Sequence, residues 1–244
     1  MSHPVKSIWD TVKVGKKAMP VYVSVADSQV RKPAVIVLQE IYGVNSHIRD
    51  VTERIAKEGY HAFAPDLFYR QGERFESGYV DNSAAYERMK HIKNDEFLED
   101  IKALVAHIRA KGTLSNGRSG ETIPVGVVGF CMGGRLTYLA ACSQEINAAV
   151  SYYGGGIAKG PIDRTADLVC PIMLFYGGKD KHIPQTEIDQ VKVALEKHDK
   201  QAGIFVYPEA DHGFFCNERR TFNAEAAEDS WIQMRAFFKE YLGK

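Results

Sequence analysis

The sequence predicts an α/β fold, a mostly parallel central sheet with helices on both faces, and two observations carry that reading. Runs such as AVIVLQ (34–39) and IPVGVVGF (123–130) are apolar without alternation, as strands buried on both faces are. Between such runs lie stretches with apolar residues at helical spacing, so strands alternate with helices and right-handed βαβ units follow.

Trp9 to Ala26 reads as a hairpin at a sheet edge, with TVKV and MPVYVSVA joined across Gly15-Lys16-Lys17. AVIVLQ is the first buried strand. The loop IYGVNSH follows, and Asn45 or Ser46 is placed to cap a helix reaching about Lys57, with Ile48, Val51 and Ile55 at helical spacing and Gly59 beyond its end. YHAFAP is a strand stopped by Pro65. The polar, glycine-bearing stretch Asp66 to Ser83 is a long loop with functional potential. Helices are predicted from Ser83 to His91 and from Phe97 to Ala110, the second with Ile101, Leu104, Val105 and Ile108 in one stripe. Ser115 to Thr122 is a polar turn leading into IPVGVVGF. Then come a helix over Met132 to Ala141, a strand over Ala148 to Tyr153, a glycine-rich loop, the strand PIMLFYG, a helix over Thr186 to His198, the strand GIFVYP and a last helix from about Asn223 to Tyr241. With no repeat, low-complexity tract or linker, the 244 residues are expected to form one domain over 1–244.

The 31 basic and 31 acidic residues cancel, so no global field draws the chain to nucleic acid or an anionic membrane. The start MSHPVKSIWDT has no apolar signal core, and nowhere do about 18 apolar residues run together. A soluble, cytoplasmic protein acting on a small molecule is expected, as a monomer or a weak homodimer. Cys131, Cys142, Cys170 and Cys216 show neither a CxxC pair nor metal-ligand spacing, so neither a metal site nor a disulfide framework is expected.

Ligands of open α/β sheets bind at the carboxyl ends of the strands. The loops after AVIVLQ, IPVGVVGF, PIMLFYG and GIFVYP hold Glu40, Cys131, Asp180 and His212. GFCMG, Gly129 to Gly133, fits glycine-x-nucleophile-x-glycine at a strand-to-helix junction, and it sets Cys131 at a helix N-terminus, where a thiolate is favoured. Taken alone, the same pentapeptide also suits a small core cysteine in a glycine-rich turn. Asp180, in GGKDKHIP, is suited to holding a histidine in its productive tautomer, although an aspartate in a turn is more often a cap. His182 reads as an ordinary loop residue. His212, in PEADHGF, is suited to general base and acid work, and the remaining histidines read as surface residues. The order nucleophile, acid, histidine, each after its own strand, is what turns separate possibilities into the triad Cys131–His212–Asp180, for this is the chain order of α/β-hydrolases. The amides of Ile41 and Met132 are the natural oxyanion donors.

At these residues the sequence resembles the dienelactone hydrolase family of α/β-hydrolases, the carboxymethylenebutenolidases. The resemblance covers nearly the whole chain after the first hairpin and rests on QEIYGVN, APDLFYRQG, GFCMGG, YYGGG, GGKDKHIP and EADHGF. It implies an α/β-hydrolase fold, attack by Cys131 on an ester or lactone carbonyl, proton transfer by His212, orientation by Asp180, and a task for Glu40 in generating the thiolate. It requires no cofactor or metal. The family's substrate-binding arginine after the catalytic histidine falls on Cys216 here, which departs from the pattern. Arg219, Arg220 and Arg70 are the arginines in reach of that task, and Tyr42, Arg70 and Cys216 are the candidate substrate-side residues. Two other functions use the same residues: a general carboxylesterase or thioesterase, and a non-catalytic redox-sensing or binding protein that employs Cys131 as an oxidisable thiol.

Overall fold

The computed structural model describes residues 5–26, 32–112, 122–143 and 145–243. The turn expected at Ser115 to Thr122 lies outside the described residues except for Thr122 itself. The chain divides into two compact units, Met1–Gly126 with Leu242–Lys244, and Val127–Tyr241.

In the first unit, β1 (Val5–Val14) and β2 (Lys17–Ala26) form the predicted hairpin, with β1 starting earlier than the sequence pattern indicated. Val14 faces Lys17 across it, which leaves Gly15 and Lys16 as the turn; Gly15 has φ 57°, a conformation that favours glycine. With β3 (Ala34–Leu38) and β4 (His61–Pro65), the strands lie in the order β1-β2-β4-β3. β2 runs antiparallel to β4, and β3 parallel to it. Every residue of β3 is buried, as its unbroken apolar run requires.

Helix α1 (Ser46–Lys57) starts where the capping residues say it should: the Asn45 side chain accepts from the Ile48 amide at 3.2 Å. Such a cap contributes about 1 kcal/mol. Its buried face holds Ile48, Val51 and Ile55, and also His47, which was expected at the surface. His47 lies four residues before Val51, so helical spacing carries it inward. Helix α2 (Ser83–Lys90) follows, then α3 (Asn94–Gly112), whose stripe of Ile101, Leu104, Val105 and Ile108 is buried. The long loop between β4 and α2 is organised by Asp66, buried and accepting from the amides of Phe68 at 2.9 Å and Arg74 at 2.6 Å. A short 3-10 turn over Tyr69–Gln71 interrupts it.

The second unit takes up β5 (Val125–Phe130) from Val127 onward and carries β6 (Ala148–Tyr152), β7 (Ile172–Gly177) and β8 (Ala202–Tyr207), in that spatial order. β7 is parallel to both β6 and β8. Helices α4 (Met132–Ala140), α5 (Gln185–Lys197) and α6 (Ala224–Leu242) agree with the predicted spans to within a residue at either end. A 3-10 turn over Pro161–Asp167 lies inside the stretch after β6 read as a loop. The core under the strand ends is aromatic: Tyr152 stacks on Phe130 at 4.9 Å and lies 4.8 Å from Phe175. No helix among the described residues is long and apolar enough to cross a membrane.

Candidate active site

Three side chains converge at the carboxyl ends of the strands of the second unit. Cys131 is the residue between β5 and α4, with φ 53° and ψ −113°. A side chain in that left-handed region costs on the order of 1–3 kcal/mol. Two bonds hold it there: its amide donates to the Tyr152 carbonyl at 3.0 Å, and its carbonyl accepts from the Arg135 amide at 3.1 Å. The flanking glycines explain how the turn closes. A Cβ at Gly129 would fall on the Gly133 carbonyl, and one at Gly134 would stand 2.6 Å from the Tyr152 oxygen and 2.9 Å from Gly154 Cα. Only bare backbone lets α4 start this close to β5 and β6.

Cys131 is half-buried, whereas Cys142, Cys170 and Cys216 are buried. Burial pushes the Cys142 thiol up to about 11 and the Cys170 thiol up to about 12, so both stay protonated. Cys216 sits in the tight turn after His212, its amide bonded to the Gly213 carbonyl at 3.0 Å.

Asp180 and His212 come from the loops after β7 and β8, which pack backbone to backbone. The Gly178 amide donates to the Tyr207 carbonyl at 2.7 Å and the Lys179 amide to that of Ala210 at 2.9 Å. A Cβ at Gly178 would lie 2.8 Å from the Pro208 carbonyl, so the close approach needs glycine. Phe214 and Phe215 pin the histidine loop from below: Phe215 stands 4.9 Å from Tyr152, and Phe214 stands 5.4 Å from Tyr207. The result is a contact of 2.7 Å between His212 Nδ1 and Asp180 Oδ2, while the other Asp180 oxygen accepts from the His182 amide at 2.8 Å.

Burial pushes the Asp180 carboxyl up, but the hydrogen bonds and charge of His212, with the His182 amide, outweigh it and leave the group below its ordinary value. At His212 burial works against the cation. The charge of Cys131, the bond to Asp180 and a hydrogen bond shared with Cys131 overcome that and raise the imidazole to about 10. With Nδ1 committed to Asp180, Nε2 is the nitrogen left for Cys131. The arrangement sets a thiol, an imidazole and a carboxylate in one hydrogen-bonded row.

The ring of His212 has two aromatic neighbours that the sequence reading did not place. Tyr153, fully buried, stands edge-on at 5.2 Å, and the exposed His182 stands edge-on at 5.3 Å. The sequence pattern makes Tyr153 the last residue of its strand; β6 instead stops at Tyr152 and Tyr153 turns away with φ 38°. The run YYGGG was the available signal, since glycines straight after a strand mark a sharp departure of the chain.

Met132 opens α4, so its amide is among those without an acceptor inside the helix. Glu40, Ile41 and Tyr42 belong to the first unit, where all three are buried directly after β3. Arg70, in the same unit, is held by Asp100 through two bonds of 2.6 Å and 2.8 Å. The Arg219 guanidinium occupies the space that a side chain at Gly213 would need, and the φ of 79° there favours glycine as well. Among the described residues no group of three or more His, Cys, Asp or Glu is arranged to hold a metal ion.

The model of the dienelactone hydrolase family matches residues 19–242. The chain belongs to that family. A relative from Synechocystis sp., provisionally named a carboxymethylenebutenolidase, is 43% identical over 219 residues, covering 86% of this chain and 87% of its own. A second of the same provisional name, from Methylorubrum extorquens, is 38% identical over 217 residues, covering 86% of this chain and 72% of its own. Among solved structures, one from Klebsiella pneumoniae, described provisionally as a dienelactone hydrolase, superposes with a TM-score of 0.87 at 33% identity, covering 98% of this chain and 100% of that one. The family is one of hydrolases with the α/β-hydrolase fold, and this chain is a hydrolase of that fold.

Proposed function

We propose that the protein cleaves an ester or lactone bond through Cys131, His212 and Asp180, by way of a thioester acyl-enzyme. One observation carries the reading: a thiol on a strained strand-to-helix turn shares a hydrogen bond with an imidazole whose other nitrogen is 2.7 Å from a buried carboxylate. The relatives' names speak of a butenolide, and that name motivates the lactone. In this reading the thiolate of Cys131 attacks the carbonyl carbon, and His212 gives its proton to the departing alkoxide. Water then surrenders a proton to His212 and opens the thioester, which returns the thiolate and the imidazolium. The amides of Met132 and Ile41, each close after its strand, are assigned to the oxyanion, and Glu40 to raising the thiolate fraction when substrate arrives, a role that the family resemblance supports. A single catalytic domain over the whole chain belongs to the same proposal, supported by a family match that runs through both compact units.

The test is stopped-flow hydrolysis of p-nitrophenyl acetate with intact-mass detection. A burst with an acetyl adduct is expected from the native protein and neither from Cys131→Ala, while Cys131→Ser should remain folded and turn over at least about a hundredfold more slowly. A serine variant as fast as the native enzyme defeats the thiol-specific reading. A lactone compared with its open-chain ester then separates a lactonase from a general esterase or thioesterase.

A further inference from the structure

Hydrogen bonds to Asp180 and Cys131 hold the imidazole of His212 at its two nitrogens, and the packing around the ring decides how far it can tilt out of that line. A tilt would carry Nε2 away from the sulfur it must serve. Two rings pack against His212 in T-shaped contact and oppose such a tilt, Tyr153 at 5.2 Å with an interplanar angle of 63° and His182 at 5.3 Å with an angle of 74°. Both lie in the range where edge-to-face contacts are attractive. Tyr153 is locked inside the core; His182 is exposed.

We infer that His182 is a positioning residue of the hydrolytic site, its ring serving as the solvent-side wall that keeps His212 aimed at Cys131. This rests on the triad reading above. His182 is well built for the part. Its amide donates to Asp180 Oδ1 at 2.8 Å, so the carboxylate is held at one oxygen by the backbone of His182 and at the other by the ring that His182 abuts. The next residue, Ile183, is buried at 2% exposure and stands against Gly155, where an added Cβ would lie 3.2 Å from Ile183 Cγ1. That anchor, followed by Pro184 at the head of α5, fixes the backbone from which the exposed ring projects. The loop that begins at Tyr153 is tied to the same helix, for the Gly156 amide donates to Glu187 Oε1 at 2.5 Å. Both walls of the histidine therefore move with one helix end.

Because every variant at 182 except proline retains the amide bond to Asp180, substitution isolates the ring. His182→Ala is expected to lower kcat for p-nitrophenyl acetate on the order of tenfold with KM little changed, since misorientation of the base slows chemistry rather than binding. His182→Phe, which restores an aromatic edge without an ionisable group, is expected to return kcat to within about twofold of the native value. Thermal unfolding of both variants should coincide with that of the native protein. The inference is overturned by an alanine variant with native kcat, by a phenylalanine variant as slow as alanine, or by a change confined to KM, which would make His182 a substrate contact. Native protein without a Cys131-dependent burst would overturn the triad reading itself, and this inference with it, before any variant is compared.

Discussion

Two buried carboxylates in this molecule each face a basic partner at hydrogen-bond distance, and their carboxyl groups are shifted in opposite directions. Asp100, in the first unit, accepts two bonds from Arg70 at 2.6 Å and 2.8 Å and one from the Tyr69 hydroxyl at 2.9 Å. Burial nevertheless wins there and its carboxyl is raised, with Glu96, which shares Arg70 at 3.5 Å, adding like-charge repulsion. Asp180 accepts fewer bonds and is lowered. The difference lies in the company each carboxylate keeps. Asp100 divides a permanent cation with a second acid, whereas His212 is drawn into its charged form by Asp180 and Cys131 together. A pair built on arginine cannot exchange a proton near neutral pH, and a pair built on histidine can.

The comparison breaks most sharply at Asp180. Asp180→Asn should leave the fold intact and reduce kcat on the order of 10⁴-fold, because the amide no longer selects the tautomer that presents Nε2 to the sulfur. Steady-state kinetics beside far-UV circular dichroism measures both halves of that statement. A loss smaller than tenfold would put Asp180 on the same structural footing as Asp100.

Arg70→Ala should do the reverse. It abandons a buried carboxylate, so urea unfolding is expected to shift by about 3 kcal/mol, while kcat/KM of the folded enzyme stays at its native value for neutral and carboxylated esters alike. Native stability with a KM raised for carboxylated esters only would return Arg70 to the substrate side, where the sequence reading had considered it.

The histidine pair also carries a pH dependence of stability that the arginine pair lacks near neutral pH. His212 titrates near 6.5 in the unfolded chain and at about 10 in the folded one, so its contribution is complete below about pH 6.5 and is lost as the pH climbs through about 10. Urea midpoints measured from pH 6 to pH 10 should therefore fall, and fall less in Cys131→Ala, where the charge that raises the histidine is gone. Equal slopes would show that Cys131 contributes nothing to holding the imidazolium.

Much of this was readable in advance, for reasons that differ by residue. AVIVL, VGVVGF and IMLFYG are so apolar that they have no other stable place than the inside of a sheet, and Asn45 and Gly59 bracket α1 by their own side-chain chemistry. GFCMG, Asp180 and His212 are legible as candidates because each follows a strand in the chain order of α/β-hydrolases, and the fold brings Asp180 and His212 to 2.7 Å. Tyr153, His182 and Arg70 are not legible in that way. The role of Tyr153 depends on a φ of 38° that no propensity announces, that of His182 on a ring-to-ring distance across thirty residues of chain, and that of Arg70 on finding Asp100 one helix away.

The sequence by itself determined the strands, the helices, the turn that lifts Cys131 and the family to which the chain belongs, since all of these follow from local spacing and residue type. Tertiary structure alone decided which thiol is half-buried beside an imidazole and which are silenced by the core. It also decided which carboxylate holds a proton carrier and which merely neutralises an arginine. Charge states depend on burial and on partners within a few ångströms, and folding, rather than chain order, chooses those partners.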